Sequence, residues 1–273
     1  MLLRDKLWWI SYRYLSLRRA GLMSITSYEI NLSDWFGSRL GQYVYDSEKR
    51  IIDSMIADVF GYNAVQIGLP ELDYLSASRV SNKFVLSSTD RGSIKALPEL
   101  VPIRSSSVDL IVMPHAIENS QSPHDLVREA ERVLLPGGVI IFSGFNPHSM
   151  WGIMNAAISM SKISAPWVGK YLTIRRLKDW CKLLSIELDA GRMCCYRPPI
   201  QSNRVMRRLA PLESIGDRWF PMFAGVYVVK GVKCVSGMRL VMDSFKRPRV
   251  SRYATQVAQR HVAKVIPFRK VDS

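Results

Sequence analysis

Two short and almost wholly apolar runs constrain this chain more than any other feature: Val108-Asp109-Leu110-Ile111-Val112-Met113 and Val139-Ile140-Ile141-Phe142. Both fall far short of the roughly 20 residues that cross a bilayer. Nor do they alternate with polar residues as a half-exposed strand does. They read as strands buried on both faces, the condition found inside parallel sheets. Between them lies an amphipathic helix: Ser122 is its expected N-cap, Pro123 its first residue, and Asp125 stands in capping-box register. Leu126, Val127, Ala130, Val133 and Leu134 form one apolar stripe, and Pro136-Gly137-Gly138 stops the helix. A strand, a crossover helix and a second strand make one βαβ unit.

The same rhythm extends in both directions. Residues 45–59 place Ile51, Ile52, Met55, Ile56 and Val59 at helical spacing and stop at Phe60-Gly61. Ala64–Gly68 and Lys83–Ser87 read as strands, with a weaker candidate at Ser93–Leu97. Helical stretches follow at 149–161 and 173–185, and then two closing strands, Ile186–Tyr196 and Gly225–Lys233. The expected fold class is α/β: a mostly parallel sheet with helices on both faces and a two-strand ending. Such sheets bind ligands outside the carboxyl ends of their strands. Interest therefore falls on Gly68–Leu72, Ser87–Asp90, His115–Asn119 and Gly144–His148.

With 273 residues, 48% hydrophobic and 22% charged, the chain has ordinary globular composition, enough for one core with appended segments. Its net charge of +15 is placed unevenly. Residues 1–28 hold five Lys/Arg against one acid and residues 239–273 nine against two, so the ends carry most of the excess. This divides the chain into a basic, aromatic extension (1–34), a central domain (35–238) and a basic tail (239–273) expected to be disordered. Residues 244–273 could attract nucleic acid or an anionic membrane surface, or could simply be solvated. Four cysteines match neither a disulfide framework nor a zinc pattern; reduced thiols, a cytoplasmic setting and no metal are expected.

Several passages resemble a known family. Val101–Val112, containing Ser107-Val108-Asp109-Leu110, and Glu129–Gly138, containing Arg132-Val133-Leu134-Leu135-Pro136-Gly137-Gly138, are similar to the type 11 branch of class I S-adenosylmethionine-dependent methyltransferases. Gly144-Phe145-Asn146-Pro147-His148-Ser149-Met150-Trp151-Gly152 and Trp35–Gly41 resemble a small bacterial subgroup of that branch. The resemblance covers roughly residues 35–235. It implies a Rossmann-like methyltransferase fold, S-adenosylmethionine as cofactor and methyl transfer to an unidentified acceptor.

Carried over position by position, the resemblance assigns Gly68 to the glycine-rich cofactor loop, with Leu69-Pro70-Glu71-Leu72 replacing its further glycines. The acid that ends the second strand in the family is absent: Ser87 stands there, with Asp90 beyond, and Leu97 occupies the adenine-side acidic position. Glu71 and Asp90 are the compensating cofactor contacts. His115, at the end of a strand, is the candidate general base. Glu118, Asn119, Asn146 and His148 are candidate substrate contacts. The alternative, opened by the altered loops, is a catalytically inactive binding or scaffold module contacting polyanionic partners through its basic ends.

Overall fold

The computed structural model describes residues 32–154, 171–199, 208–209 and 211–234. The basic tail, nearly all of the N-terminal extension and the greater part of the 149–161 stretch lie outside the described residues. Seven strands form one sheet: β1 (Asn63–Ile67), β2 (Asn82–Ser87), β3 (Ile94–Lys95), β4 (Val108–Pro114), β5 (Leu134–Phe145), β6 (Ile186–Cys194) and β7 (Val226–Lys233). Their spatial order is β3-β2-β1-β4-β5-β7-β6. β1 lies parallel to β2 and to β4, with Val65 opposite Phe84 on one side and Ile111 on the other. β7 runs antiparallel to both β5 and β6, the two-strand ending read from the sequence.

Helices cover both faces, as the alternation requires. α1 (Arg39–Ile56) lays Ile52, Met55 and Ile56 against Leu110, Val112 and Ile141. On the opposite face, α3 (Pro123–Val133) and α4 (Ile174–Leu183) bury Leu126, Val127, Leu177 and Cys181 against Ile111, Ile140 and Phe142. A third apolar cluster caps the carboxyl end of the sheet, joining Leu32, Trp35, Phe36, Leu69, Phe145 and Trp151. The short α2 (Ala116–Asn119) follows β4 directly, and α5 (Pro211–Trp219) precedes β7. Among the described residues, no helix is long and apolar enough to cross a membrane.

Three local expectations change. α1 starts six residues earlier than the apolar spacing indicated, because the Ser38 hydroxyl accepts the Gly41 N–H at 3.1 Å and caps it there. Ser122 makes no side-chain cap; its own N–H is instead donated to Ser120 Oγ at 3.1 Å. Pro136-Gly137-Gly138 does not precede β5 but lies within it. Val108 pairs with Leu134 and Leu110 with Val139, so residues 135–138 bulge out of the ladder, with Gly137 at φ +77°.

One tight joint lies between α1 and the helical turn at 32–36. A Cβ on Gly41 would stand 2.3 Å from the Trp35 carbonyl oxygen and 2.4 Å from Phe36 Cα, both backbone atoms that cannot rotate away. Gly41→Ala should therefore lower unfolding stability by about 1–3 kcal/mol, the usual range for overpacking. Equilibrium urea unfolding measures it, and an unchanged midpoint would show that the joint yields freely.

Candidate functional site

The switch in strand order lies between β1 and β4, and the chain leaves β1 there through two successive left-handed residues, Gly68 at φ +89° and Leu69 at φ +47°. Leucine is strained in this region and glycine is not. Two contacts offset that strain. The Leu69 side chain turns inward, 2% exposed, into the cluster of Phe36, Phe145 and Trp151. The buried Gln66 amide, on β1, then holds the turn: Nε2 donates to the carbonyls of Gly68, Leu69 and Leu72 at 3.1, 3.0 and 2.8 Å. Its Oε1 accepts the Tyr74 N–H at 3.1 Å. The turn after β1 thus takes a left-handed course through one glycine and one leucine.

Beneath the turn runs a buried chain of polar groups. His115, between the end of β4 and the start of α2, has φ +50° and is 1% exposed. Its Nε2–H is donated to Glu48 Oε1 on α1 at 2.8 Å, and its Nδ1–H to Glu118 Oε2 on α2 at 2.9 Å. The Tyr74 hydroxyl donates to Glu48 Oε2 at 2.8 Å, and the Phe145 N–H at the end of β5 donates to Glu118 Oε1. Burial by itself lowers the His115 pKa. Coulombic attraction and hydrogen bonds from Glu48 and Glu118 outweigh it and raise the value to about 10. Burial raises the Glu118 carboxyl, partly offset by His115, and burial with the neighbouring Glu48 raises the Tyr74 phenol. Phe145 lies against the imidazolium, its ring centroid 4.4 Å away, with Phe36 at 5.6 Å.

In this geometry the expected general base, His115, has both ring nitrogens hydrogen-bonded inside the protein. Both ring nitrogens are donors to carboxylates, no lone pair faces a cleft, and the ring is already protonated at neutral pH. Glu118 is likewise hydrogen-bonded internally, to His115 and the Phe145 N–H. Asn119 is half-buried at the end of α2. Asn146 is spent internally: Nδ2 donates to the carbonyls of Met222 and Ala224 at 2.7 and 3.0 Å, and Oδ1 accepts the His148 N–H at 3.1 Å. It clasps the end of β5 to the start of β7, leaving His148 exposed beside it.

The cofactor-side candidates also separate. Glu71 reaches across to the segment after β2 and forms an ion pair with Arg91. Asp90 points away; its side chain is 84% exposed and pairs with Lys95 at 2.6 Å. Ser87 is buried, with Oγ accepting the Thr89 N–H at 3.0 Å and lying 2.8 Å from Thr89 Oγ1. Leu97 is half-buried, and nearby Glu99 is committed to the Ser120 hydroxyl at 2.5 Å and the Gln121 N–H at 3.1 Å. Gly68 and Glu71 therefore remain at the carboxyl edge between β1 and β2, whereas Asp90, Asn146 and His148 do not join them.

Glu48, Gln66 and Tyr74 were not singled out in the sequence, yet the first two had a signal. Glu48 interrupts the apolar stripe of α1 four residues after Val44 and four before Ile52. Gln66 is the one polar residue inside an otherwise apolar strand core. A charged or amide side chain on a buried face needs a partner, so both pointed to an internal network.

Comparisons with known proteins agree with this architecture. A family model described as "Methyltransferase domain" matches residues 72–142, ending just before the Gly144–Gly152 passage. The chain is 29% identical over 161 residues to "Uncharacterized protein YafS" of Escherichia coli (strain K12), covering 58% of this chain and 67% of that protein. Among solved structures, a SAM-dependent methyltransferase from Thermotoga maritima superposes with a TM-score of 0.56 at 17% identity, over 73% of this chain and 93% of that one. A chain of the complex containing the Haloferax volcanii Trm112 methyltransferase activator superposes with a TM-score of 0.52 at 12% identity, over 69% and 89%. The fold is the Rossmann-like methyltransferase fold.

The His115 network has a definite pH signature. The folded state holds the proton up to about pH 10, whereas an unfolded histidine releases it near 6.5. The resulting stabilisation is complete below about pH 6.5 and is lost as pH rises towards 10. The raised Glu118 acts in the same sense at lower pH. Unfolding stability should fall between pH 7 and 10 in the natural protein, a slope absent from His115→Gln. That variant should also lose about 3–5 kcal/mol at pH 7, because two buried carboxylates lose their counter-charge. Chemical denaturation across pH tests both; a flat profile in the natural protein would rule out the imidazolium.

Proposed function

We propose that this protein is an S-adenosylmethionine-dependent methyltransferase acting on an acceptor yet to be identified. The observation that carries the reading is the left-handed Gly68-Leu69 turn, held by Gln66 at the point where strand order switches between β1 and β4. A Cβ on Gly68 would project towards the ends of β4 and α2, 3.8 Å from the Pro114 carbonyl oxygen and 4.0 Å from Ala116 Cβ. This is space that glycine keeps for a ligand drawn close to the backbone. The matched methyltransferase domain model and the fold of the solved neighbours support the same assignment.

The residues present fit this cofactor through a rearranged set of contacts. Gly68 would admit the methionine part. Glu71 supplies, from the first loop, the carboxylate that the end of β2 lacks, and its pairing with Arg91 holds it beside that strand. When bound, the cofactor supplies an electrophilic methyl group on a sulfonium centre. The chain's own contribution is to hold, orient and desolvate the reactants. His115 takes no proton in this scheme; it and its two carboxylates position the ends of β4 and β5 around the site. The basic tail, 244–273, remains our candidate for contact with nucleic acid or an anionic surface.

Calorimetric titration with S-adenosylmethionine and S-adenosylhomocysteine tests the reading. We expect binding in the micromolar range. Gly68→Val should weaken it at least about 100-fold and Glu71→Ala about 10-fold, each leaving the circular dichroism spectrum unchanged. A folded natural protein that binds neither compound would overturn the assignment in favour of the scaffold alternative.

A further inference from the structure

α4 buries Leu177 and Cys181 and turns four cations to solvent: Arg175, Arg176, Lys178 and Lys182. Arg175, Lys178 and Lys182 stand at i, i+3 and i+7, so they line one face over roughly 10 Å of helix axis. The acids of the adjoining α3 are engaged elsewhere: Asp125 pairs with Arg128 at 3.2 Å, Glu129 with Arg132 at 2.9 Å and Glu131 with Lys233 at 2.8 Å. On β6, Glu187 stands opposite Val232, on the sheet face that α1 covers. Two acids remain beside the four cations: Asp179 on α4, and Asp189, which with Lys178 lines a cavity of about 310 Å³. Among the described residues, none of the four cations forms an ion pair.

The same surface carries a stack of planar groups. The Arg176 guanidinium lies over the Trp180 ring, 5.2 Å from its centroid, and the His124 ring of α3 meets that tryptophan nearly at right angles at 5.5 Å. A planar cation fixed on an aromatic ring offers a platform for an unstacked base, and a row of unpaired cations beside it matches a phosphate backbone. Large apolar exposure on α4 is confined to Leu183 at its end. A bilayer contact needs an apolar face as well as charge, so a nucleic acid fits this surface better than a membrane does.

We infer that α4 binds single-stranded nucleic acid, with Arg175, Lys178 and Lys182 on phosphates and the Arg176 guanidinium, seated on Trp180, stacking on a base. The contact is separate from any attraction exerted by residues 244–273. It also does not depend on the methyltransferase assignment, since it requires no cofactor. α4 begins at the carboxyl end of the sheet, where Tyr171 stacks on Phe145 of β5 with 5.3 Å between ring centroids. A nucleic-acid strand lying along the helix therefore reaches the edge that carries the Gly68 turn.

Fluorescence anisotropy of the full chain with a labelled oligouridylate of about 20 nucleotides, at salt between about 50 and 200 mM, tests it. The natural protein should bind. Arg175→Gln/Lys178→Gln/Lys182→Gln should bind at least about tenfold more weakly at low salt, with a log–log salt slope shallower by about 2, since each lost phosphate contact removes about 0.7. Its thermal midpoint should not change, because all three side chains are exposed. Arg176→Lys keeps the charge and loses the plane; it should weaken oligonucleotide binding about fivefold and leave binding of inorganic polyphosphate unchanged. No binding by the natural protein, or equal binding by the triple variant, which would leave any attraction to the chain's basic ends, would overturn the inference. So would equal effects of Arg176→Lys on both polyanions, or a triple variant that loses binding to phosphatidylglycerol vesicles but not to the oligonucleotide.

Discussion

One buried cation between two buried carboxylates organises the upper end of this molecule. The His115 imidazolium lies between Glu48 and Glu118, and through them joins three pieces of chain remote in sequence: α1, the β4–α2 corner and the end of β5. Removing any of these charges from water is costly, and only mutual pairing with further hydrogen bonds makes the arrangement tenable. The Tyr74 hydroxyl and the Phe145 N–H complete it. The Tyr74 backbone continues the chain of contacts to Gln66, whose amide fixes the turn after β1. The conformation of Gly68 and Leu69 thus depends on polar groups that are themselves buried.

That dependence explains how a leucine is held in a left-handed turn. A glycine-rich loop obtains left-handed geometry cheaply because glycine has no Cβ. Here Leu69 adopts the same region, and its cost is offset by burying an aliphatic side chain and by three carbonyl acceptors converging on one amide. Glu71, in the loop that follows the turn, is held to the segment after β2 by its ion pair with Arg91.

Sequence patterns conveyed the architecture well because strands and helices announce themselves by local periodicity. Val108–Met113 and the Leu126–Val133 stripe lie where the apolar spacing put them. The site was less legible. His115 at a strand end satisfies every sequence criterion for a reactive base, and only its partner 67 residues earlier shows that both nitrogens are occupied. Asn146 likewise points towards a cleft in sequence terms, yet its amide is consumed by carbonyls of Met222 and Ala224. A hydrogen-bonding side chain looks the same in sequence whether its partner is a ligand or a distant stretch of backbone.

The amino-acid sequence by itself determined the α/β alternation, the buried parallel strands, the two-strand ending and the concentration of charge at the chain's ends. These follow from residue spacing, hydrophobicity and charge, which are local properties. Tertiary structure alone decided that His115 is buried between two carboxylates, that Leu69 turns inward, that Glu71 pairs with Arg91 while Asp90 lies exposed, and that Trp219 and Phe223 face solvent. Each of those outcomes depends on which distant groups share a volume of low dielectric or are left outside it, and no local pattern encodes that.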